Sequence, residues 1–179
     1  MIVLRDMKES DLDSYWHWIQ PGHKWQTIDG PYHQYKEGEL LERFQNRKRD
    51  VLAKDFANPR TWLVIGDINT DELIGIVSSY WHSKETYWLC SGIRILNENS
   101  WGKGIGTDAL TLWTVYLFAN RPEICRLGLE MWSGNERLIH LALKLGYREE
   151  ARFLKARIVN GKYFDSIGFG ILREDWALR

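Results

Sequence analysis

The chain has 179 residues, 44% hydrophobic and 27% charged, with 24 basic and 24 acidic side chains and no net charge. That length suits one domain, 1–179, with a full core, and the balanced charge points to neither nucleic acid nor membrane as a partner. No apolar run nears the ~20 residues of a membrane-spanning helix, and "MIVLRDMKES" lacks a signal-peptide core. Cys90 and Cys125 stand in no metal-ligand spacing, so a reducing cytoplasm is the expected location.

"MIVLR" reads as a short strand, and Ser10 can cap a helix reaching Trp18 with Leu12, Trp16 and Ile19 on one face. Pro21 to Gln34 is a loop broken by Pro-Gly and Gly-Pro pairs. A charged helix is expected from Lys36 to Phe56, its apolar stripe made of Leu40, Leu41, Phe44, Val51 and Leu52. Two strands, "TWLVIGD" and "LIGIVSSYWH", follow around the turn "INTDE", and Thr86 to Leu96 forms a third. A helix begins after Gly102, Gly104 and Gly106, with Ile105, Ala109, Leu112, Trp113, Tyr116 and Leu117 at a 3.6-residue period. "RLGLEMW" is a strand, Asn135 caps "ERLIHLALKL", and Gly146 sits where a helix ends in the left-handed region. Strands 147–158 and 163–172 flank "VNGK", whose Asn-Gly marks a tight hairpin. The order β-α-α-β-β-β-α-β-α-β-β predicts an α/β domain with a mixed, mostly antiparallel sheet.

Three glycines at the mouth of a helix leave backbone N–H groups open to an anion, and missing side chains let a phosphate come close. "GKGIGTDA" is not a P-loop, because no lysine follows Gly106, and it breaks the GxGxxG spacing of dinucleotide folds. "SWGKGIGTDAL" instead resembles the pyrophosphate loop of the GNAT acyl-CoA N-acyltransferases. "WSGNERLIHLALKLGY" is similar to their second motif, and "NGKYFDSIGFGILREDW" to the terminal hairpin of the ribosomal-protein-alanine N-acetyltransferase branch.

The resemblance implies a GNAT-like twisted sheet flanked by helices, with acetyl-CoA as co-substrate. It implies that Arg94, Ile95 and Leu96 offer backbone groups to the pantetheine arm. Trp101 takes the family's Gln/Arg position, and Gly102, Lys103, Gly104, Ile105, Gly106 and Thr107 surround the pyrophosphate. Asn135 reaches the arm near the thiol, and Lys103 and Lys144 add charge near phosphate. Residues 61–179 then form the acyl-CoA-binding core and hairpin, and 1–60 the acceptor side, where Trp25 and Tyr32 stand out as substrate-binding aromatics in a cluster with Trp16, Trp18 and Tyr35.

Two catalytic positions depart from the family pattern. The frequent glutamate of the fourth strand is Cys90, and the tyrosine acid of the last long helix is Ala142. Glu130 and Cys90 itself are the candidate catalytic residues, with Ser133, Tyr163 and Asp165 as further possibilities. A lysine amine costs ~4.6 kcal/mol to neutralise at pH 7 and an α-amine only ~1 kcal/mol, so a base-poor site favours low-pKa amines. His17, His23, His33, His82 and His140 lack ligand spacing such as HExxH, so no metal is expected. The reading is an N-acetyltransferase acting on a primary amine, of a small molecule or a protein N-terminus, by direct attack. The alternative is a non-catalytic CoA-binding module. The acceptor amine is the expected partner, and a homodimer stays open.

Overall fold

The computed structural model describes residues 1–33 and 38–178. The strands are β1 (Ile2–Arg5), β2 (Trp62–Asp67), β3 (Leu73–Ser83), β4 (Trp88–Ile95), β5 (Arg126–Trp132), β6 (Arg148–Val159) and β7 (Lys162–Leu172). The helices are α1 (Leu12–Ile19), α2 (Glu39–Ala53), α3 (Ile105–Asn120), α4 (Glu136–Lys144) and α5 (Arg173–Ala177). All seven strands join one sheet in the order β1-β2-β3-β4-β5-β7-β6, antiparallel everywhere except at β4–β5. The mixed, mostly antiparallel architecture is the one expected.

Strand periodicity divides the core between the two faces of the sheet. In β2, Leu63 and Ile65 enter a large cluster with α3 and α4, which holds Trp113, Leu117 and Ala142. Val64, between them, enters a second cluster with Met7, Leu12, Trp25 and Val51 on the α1–α2 side. Each fully buried leucine there contributes roughly 2 kcal/mol of transfer free energy. Past the second cluster, on the α1–α2 face, the candidate site opens.

Local signals placed most ends. The Asn135 side chain accepts the Leu138 N–H at 3.2 Å, Gly146 has φ +73°, and Asn160-Gly161 turns the last hairpin with φ +48° and +74°. Four expectations need correction. Ser10 caps nothing: Asp11 takes the Lys8 N–H at 2.7 Å and both arms of Arg5, and this buried ion pair sets where α1 starts. In α2 only Val51 of the expected stripe is buried, while Leu41 and Leu52 are about half exposed, because one narrow face meets the sheet. Leu112 of α3 is likewise exposed and Leu110 buried in its place. The chain also adds α5, whose Arg173 donates to the carbonyls of Phe118, Arg121 and Ile124. Tyr35 and the expected start of the second helix at Lys36 lie outside the described residues.

Candidate active site

The glycine loop builds one end of a cleft of about 460 Å³. Gly102 and Gly104 have φ of +75° and +82°, a region that side-chain-bearing residues rarely enter. Gly104 is the N-cap of α3, and its carbonyl accepts from Thr107 N–H at 2.9 Å and Asp108 N–H at 3.1 Å. The N–H groups of Lys103, Gly104, Ile105 and Gly106 meet no acceptor among the described residues. Four donors at the positive end of a helix dipole make an anion site.

Side chains reinforce it. Lys144 places Nζ 3.5 Å from Thr107 Oγ1, and the Arg137 guanidinium lies 4.4 Å from the Trp101 ring centroid on the cleft wall. Motif matching passed over Arg137; its position one residue past the start of α4 was the available signal. The Lys103 side chain is exposed and is not on the wall.

The cleft continues along β4, where the sheet splits. β4 and β5 are parallel neighbours only at Leu89–Leu127, Cys90–Gly128 and Ser91–Leu129, after which they part. The Leu96 N–H bonds the Ile74 carbonyl of β3 at 3.0 Å. By antiparallel alternation Gly92, Arg94 and Leu96 therefore turn their backbone groups to β3, whereas Ile93 and Ile95 turn theirs to the open side. This corrects the assignment of the pantetheine-facing backbone to Arg94 and Leu96, and Leu96 is buried in the second core cluster. Trp101 fixes the end of the strand, its indole N–H donating to the Ile95 carbonyl at 2.9 Å. The Ile93 N–H and carbonyl and the Ile95 N–H meet no partner among the described residues.

A groove of about 1310 Å³ meets the cleft at this split. The two share the walls Trp25, Asp29, Ile93, Arg94, Asn135 and Leu138. The Arg94 side chain crosses the junction to pair with Asp29 and stands 5.7 Å from the Trp25 ring centroid. Trp132 of β5 donates its indole N–H to the Ile28 carbonyl at 2.7 Å, holding the loop that carries Asp29. Asn135 is 7% exposed; its oxygen is taken by the helix cap while its amide lies at the same junction. Tyr32 forms part of the groove wall, facing Arg157 at 5.0 Å. Trp16, on the apolar face expected of the first helix, is a half-buried groove residue with its ring 4.6 Å from Phe44. The groove floor comes from β3, β4 and β5, so residues 1–60 form only part of its wall.

That floor holds the polar centre of the groove. Tyr80 and His82 on β3, Cys90 on β4 and Glu130 on β5 project from one sheet face, since Tyr80 pairs with Cys90 and Cys90 with Gly128. Glu130 is the first β5 residue beyond the pairing with β4. Its carboxylate accepts the Tyr80 hydroxyl at 2.7 Å and lies 3.0 Å from His82 Nδ1. One ring nitrogen of His82, the Cys90 Sγ and one carboxylate oxygen of Glu130 all lie within 4.8 Å of one another. Burial, and then the carboxylate, push the Tyr80 hydroxyl pKa well above the phenol range. The same two causes push the Cys90 thiol to about 11, which keeps it protonated and unsuited to act as a nucleophile. A carboxylate thus stands beside Cys90, contributed by the next strand.

The other candidates lie elsewhere. Asp165 accepts the Lys155 N–H at 3.0 Å and Arg152 at 2.9 Å, fixing the bulge of the last hairpin, and Ser133 Oγ accepts the Asp165 N–H at 3.0 Å. Tyr163 is 64% exposed, and Ala142 is sealed in the core. Tyr147 is buried against Thr114, its hydroxyl pushed to about 12 by that burial. Ser91, at the last position of β4 paired with β5, carries a buried hydroxyl without a partner among the described residues, and nothing in the sequence singled it out.

The family description "Acetyltransferase (GNAT) domain" matches residues 2–148. The chain belongs to the GNAT acetyltransferase family. Membership brings acetyl-CoA as co-substrate and acetyl transfer as the reaction class, which makes the chain an acyl-CoA N-acetyltransferase. No curated protein matches it significantly. Among solved structures it is similar to a GNAT-family acetyltransferase from Bacillus anthracis, at 15% identity and TM-score 0.71 over 97% of this chain and 95% of that one. It is also similar to the spermidine N-acetyltransferase of Vibrio cholerae in complex with CoA and spermine, at 19% identity and TM-score 0.74 over 98% of each chain. At such identity these GNAT structures show the shared fold. No helix is long and apolar enough to cross a membrane among the described residues.

Proposed function

We infer that this protein transfers the acetyl group of acetyl-CoA directly to a primary amine of low pKa, either the α-amine of a protein N-terminus or a small-molecule amine. The observation that carries this reading is the junction of the two cavities at the β4–β5 split. On one side lie backbone donors with no acceptor among the described residues, suited to a diphosphate and an extended arm; on the other lies a groove of about 1310 Å³ whose lining includes Glu130. A thioester held there would meet an acceptor arriving from the groove without a covalent acyl-enzyme, and Cys90 stays a buried, protonated thiol. Proximity of the two reactants supplies several kcal/mol of the barrier reduction.

The charge of the groove supports a compact acceptor over a polycation. Asp29 pairs with Arg94, Glu150 with Arg126 and Glu39 with Arg43, so three groove carboxylates are already matched by guanidiniums. The likeness of the terminal hairpin to the ribosomal-protein branch supports a protein N-terminus as one acceptor class.

Thiol release from acetyl-CoA against a panel of α-amines, lysine side-chain analogues and polyamines tests the reading. Turnover should be fastest with α-amines. Binding of acetyl-CoA with no turnover of any amine would favour the CoA-binding module instead.

A further inference from the structure

We propose that His82 is the proton acceptor for the attacking amine, oriented and stabilised by Glu130, which itself takes no proton from substrate. The proposal rests on the acetyl-transfer reading above and assigns its acid–base chemistry.

Both oxygens of the Glu130 carboxylate are engaged within the chain: Oε2 accepts the Tyr80 hydroxyl at 2.7 Å, and Oε1 faces His82 Nδ1 at 3.0 Å. An ionised carboxylate only accepts hydrogen bonds, so the neutral imidazole facing it carries its proton on Nδ1 and its lone pair on Nε2. The two ring nitrogens diverge, which turns Nε2 away from Glu130, and His82 lines the groove. The ring is held flat on Trp88, with centroids 3.9 Å apart and planes at 29°. Trp88 in turn lies 5.2 Å from the Arg126 guanidinium, which pairs with Glu150. The titratable groups around the imidazole are therefore Tyr80 of β3, Cys90 of β4, Arg126 and Glu130 of β5, Glu150 of β6, and Glu85 in the adjoining turn. Among them Glu130 is the charge in contact with the ring, and a negative charge there favours the imidazolium once it forms.

The step balances as follows. Nε2 takes one proton from the acceptor ammonium, and the freed lone pair forms the N–C bond at the thioester carbonyl. The C–S bond breaks with its electron pair on sulfur. Sulfur takes up a proton as the new amide nitrogen loses its second one, and His82 passes its proton to water. Imidazole is the side chain that changes charge in the neutral range, which suits an amine titrating near ~7.8.

The test measures kcat/KM for the acceptor against pH in the wild type, His82→Gln and Glu130→Gln, with acetyl-CoA affinity by calorimetry in each. His82→Gln should lower kcat by about 100-fold, erase the acid limb of the profile and leave acetyl-CoA affinity within about twofold. Glu130→Gln should lower kcat about tenfold, keep an acid limb and move it to lower pH. Imidazole added to His82→Ala should restore part of the rate. A limb that survives in His82→Gln and vanishes in Glu130→Gln would overturn the proposal in favour of Glu130 as the direct base. Nitrogen-15 NMR of the wild-type imidazole gives a readout without turnover: a proton on Nδ1 is expected, and a proton on Nε2 of neutral His82 would refute the arrangement. An enzyme that turns over no amine but shows the Nδ1 tautomer would defeat the acetyl-transfer reading and leave this geometry standing.

Discussion

At the scale of single residues, the anion site depends on backbone shape more than on side-chain charge. A Cβ at Gly104 would meet nothing within 4 Å, so the obstacle to substitution is its φ of +82° and not a clash. Gly104→Val forces a β-branched residue into the left-handed region at a cost of roughly 1–2 kcal/mol, or swings the N–H groups away from the phosphate. Calorimetry should show acetyl-CoA binding lost in a variant whose circular dichroism is unchanged; undiminished affinity would refute the loop assignment. Arg137→Ala removes one guanidinium from the same end and should raise the acetyl-CoA KM about tenfold with kcat nearly constant, the signature of uniform binding. Neither Tyr147 nor Tyr163 reaches the junction, one buried against Thr114 and the other exposed. Tyr147→Phe and Tyr163→Phe should each keep kcat within about fivefold, and a loss of ~1000-fold from either would reveal a phenol acting as acid.

At the scale of elements, the split between β4 and β5 is the feature from which the site is made. Three residue pairs hold the strands together, and beyond them a cleft opens that is lined by residues of α3 and α4. Trp132 ties this region to the loop of the acceptor side through its bond to the Ile28 carbonyl, with Phe164 edge-on at 4.8 Å. Trp132→Phe keeps most of the packing and deletes the donor. It should cost about 1 kcal/mol of stability and raise the acceptor KM several-fold while leaving the acetyl-CoA KM unchanged. Steady-state kinetics with each substrate varied separately would show whether the loop serves the acceptor alone.

At the scale of the molecule, the shifted groups bound a plateau of stability in pH. Asp67, Asp71, Glu149 and Asp165 titrate below the ordinary carboxylate range. Backbone N–H bonds come first for Asp67 and Asp165, Lys8 for Asp71, and Arg152 for Glu149. Their folded pKa values are depressed, so their contribution is complete above about pH 5 and falls away as pH drops through the folded values. Cys90 and Tyr147 are shifted upward by burial, to about 11 and about 12. For these acids the neutral form is the one the fold accommodates, so stability is present below the unfolded values and declines as pH rises through the folded ones. Urea midpoints should therefore be flat from about pH 5 to 8 and drop on either side. A maximum confined to one edge of that range would contradict the assignment.

Local chemistry determined much of this protein directly. The glycine loop, the Asn135 cap, Gly146 and the Asn-Gly hairpin are written within a few residues of where they act, because caps and turns are settled by neighbouring backbone groups. Strand and helix periods gave the element order for the same reason. Only the tertiary structure decided where the chemistry sits. His82, Cys90 and Glu130 are 8 to 48 positions apart in the chain and meet because β3, β4 and β5 are neighbours in the sheet. Histidines weighed by their spacing along the chain could not reveal that contact. Nor could the sequence tell which β4 residues face the split, since a shift of one in register exchanges Arg94 for Ile95. Sequence near a residue fixes the backbone's local conformation; the partner across a sheet is chosen by the packing of the whole core.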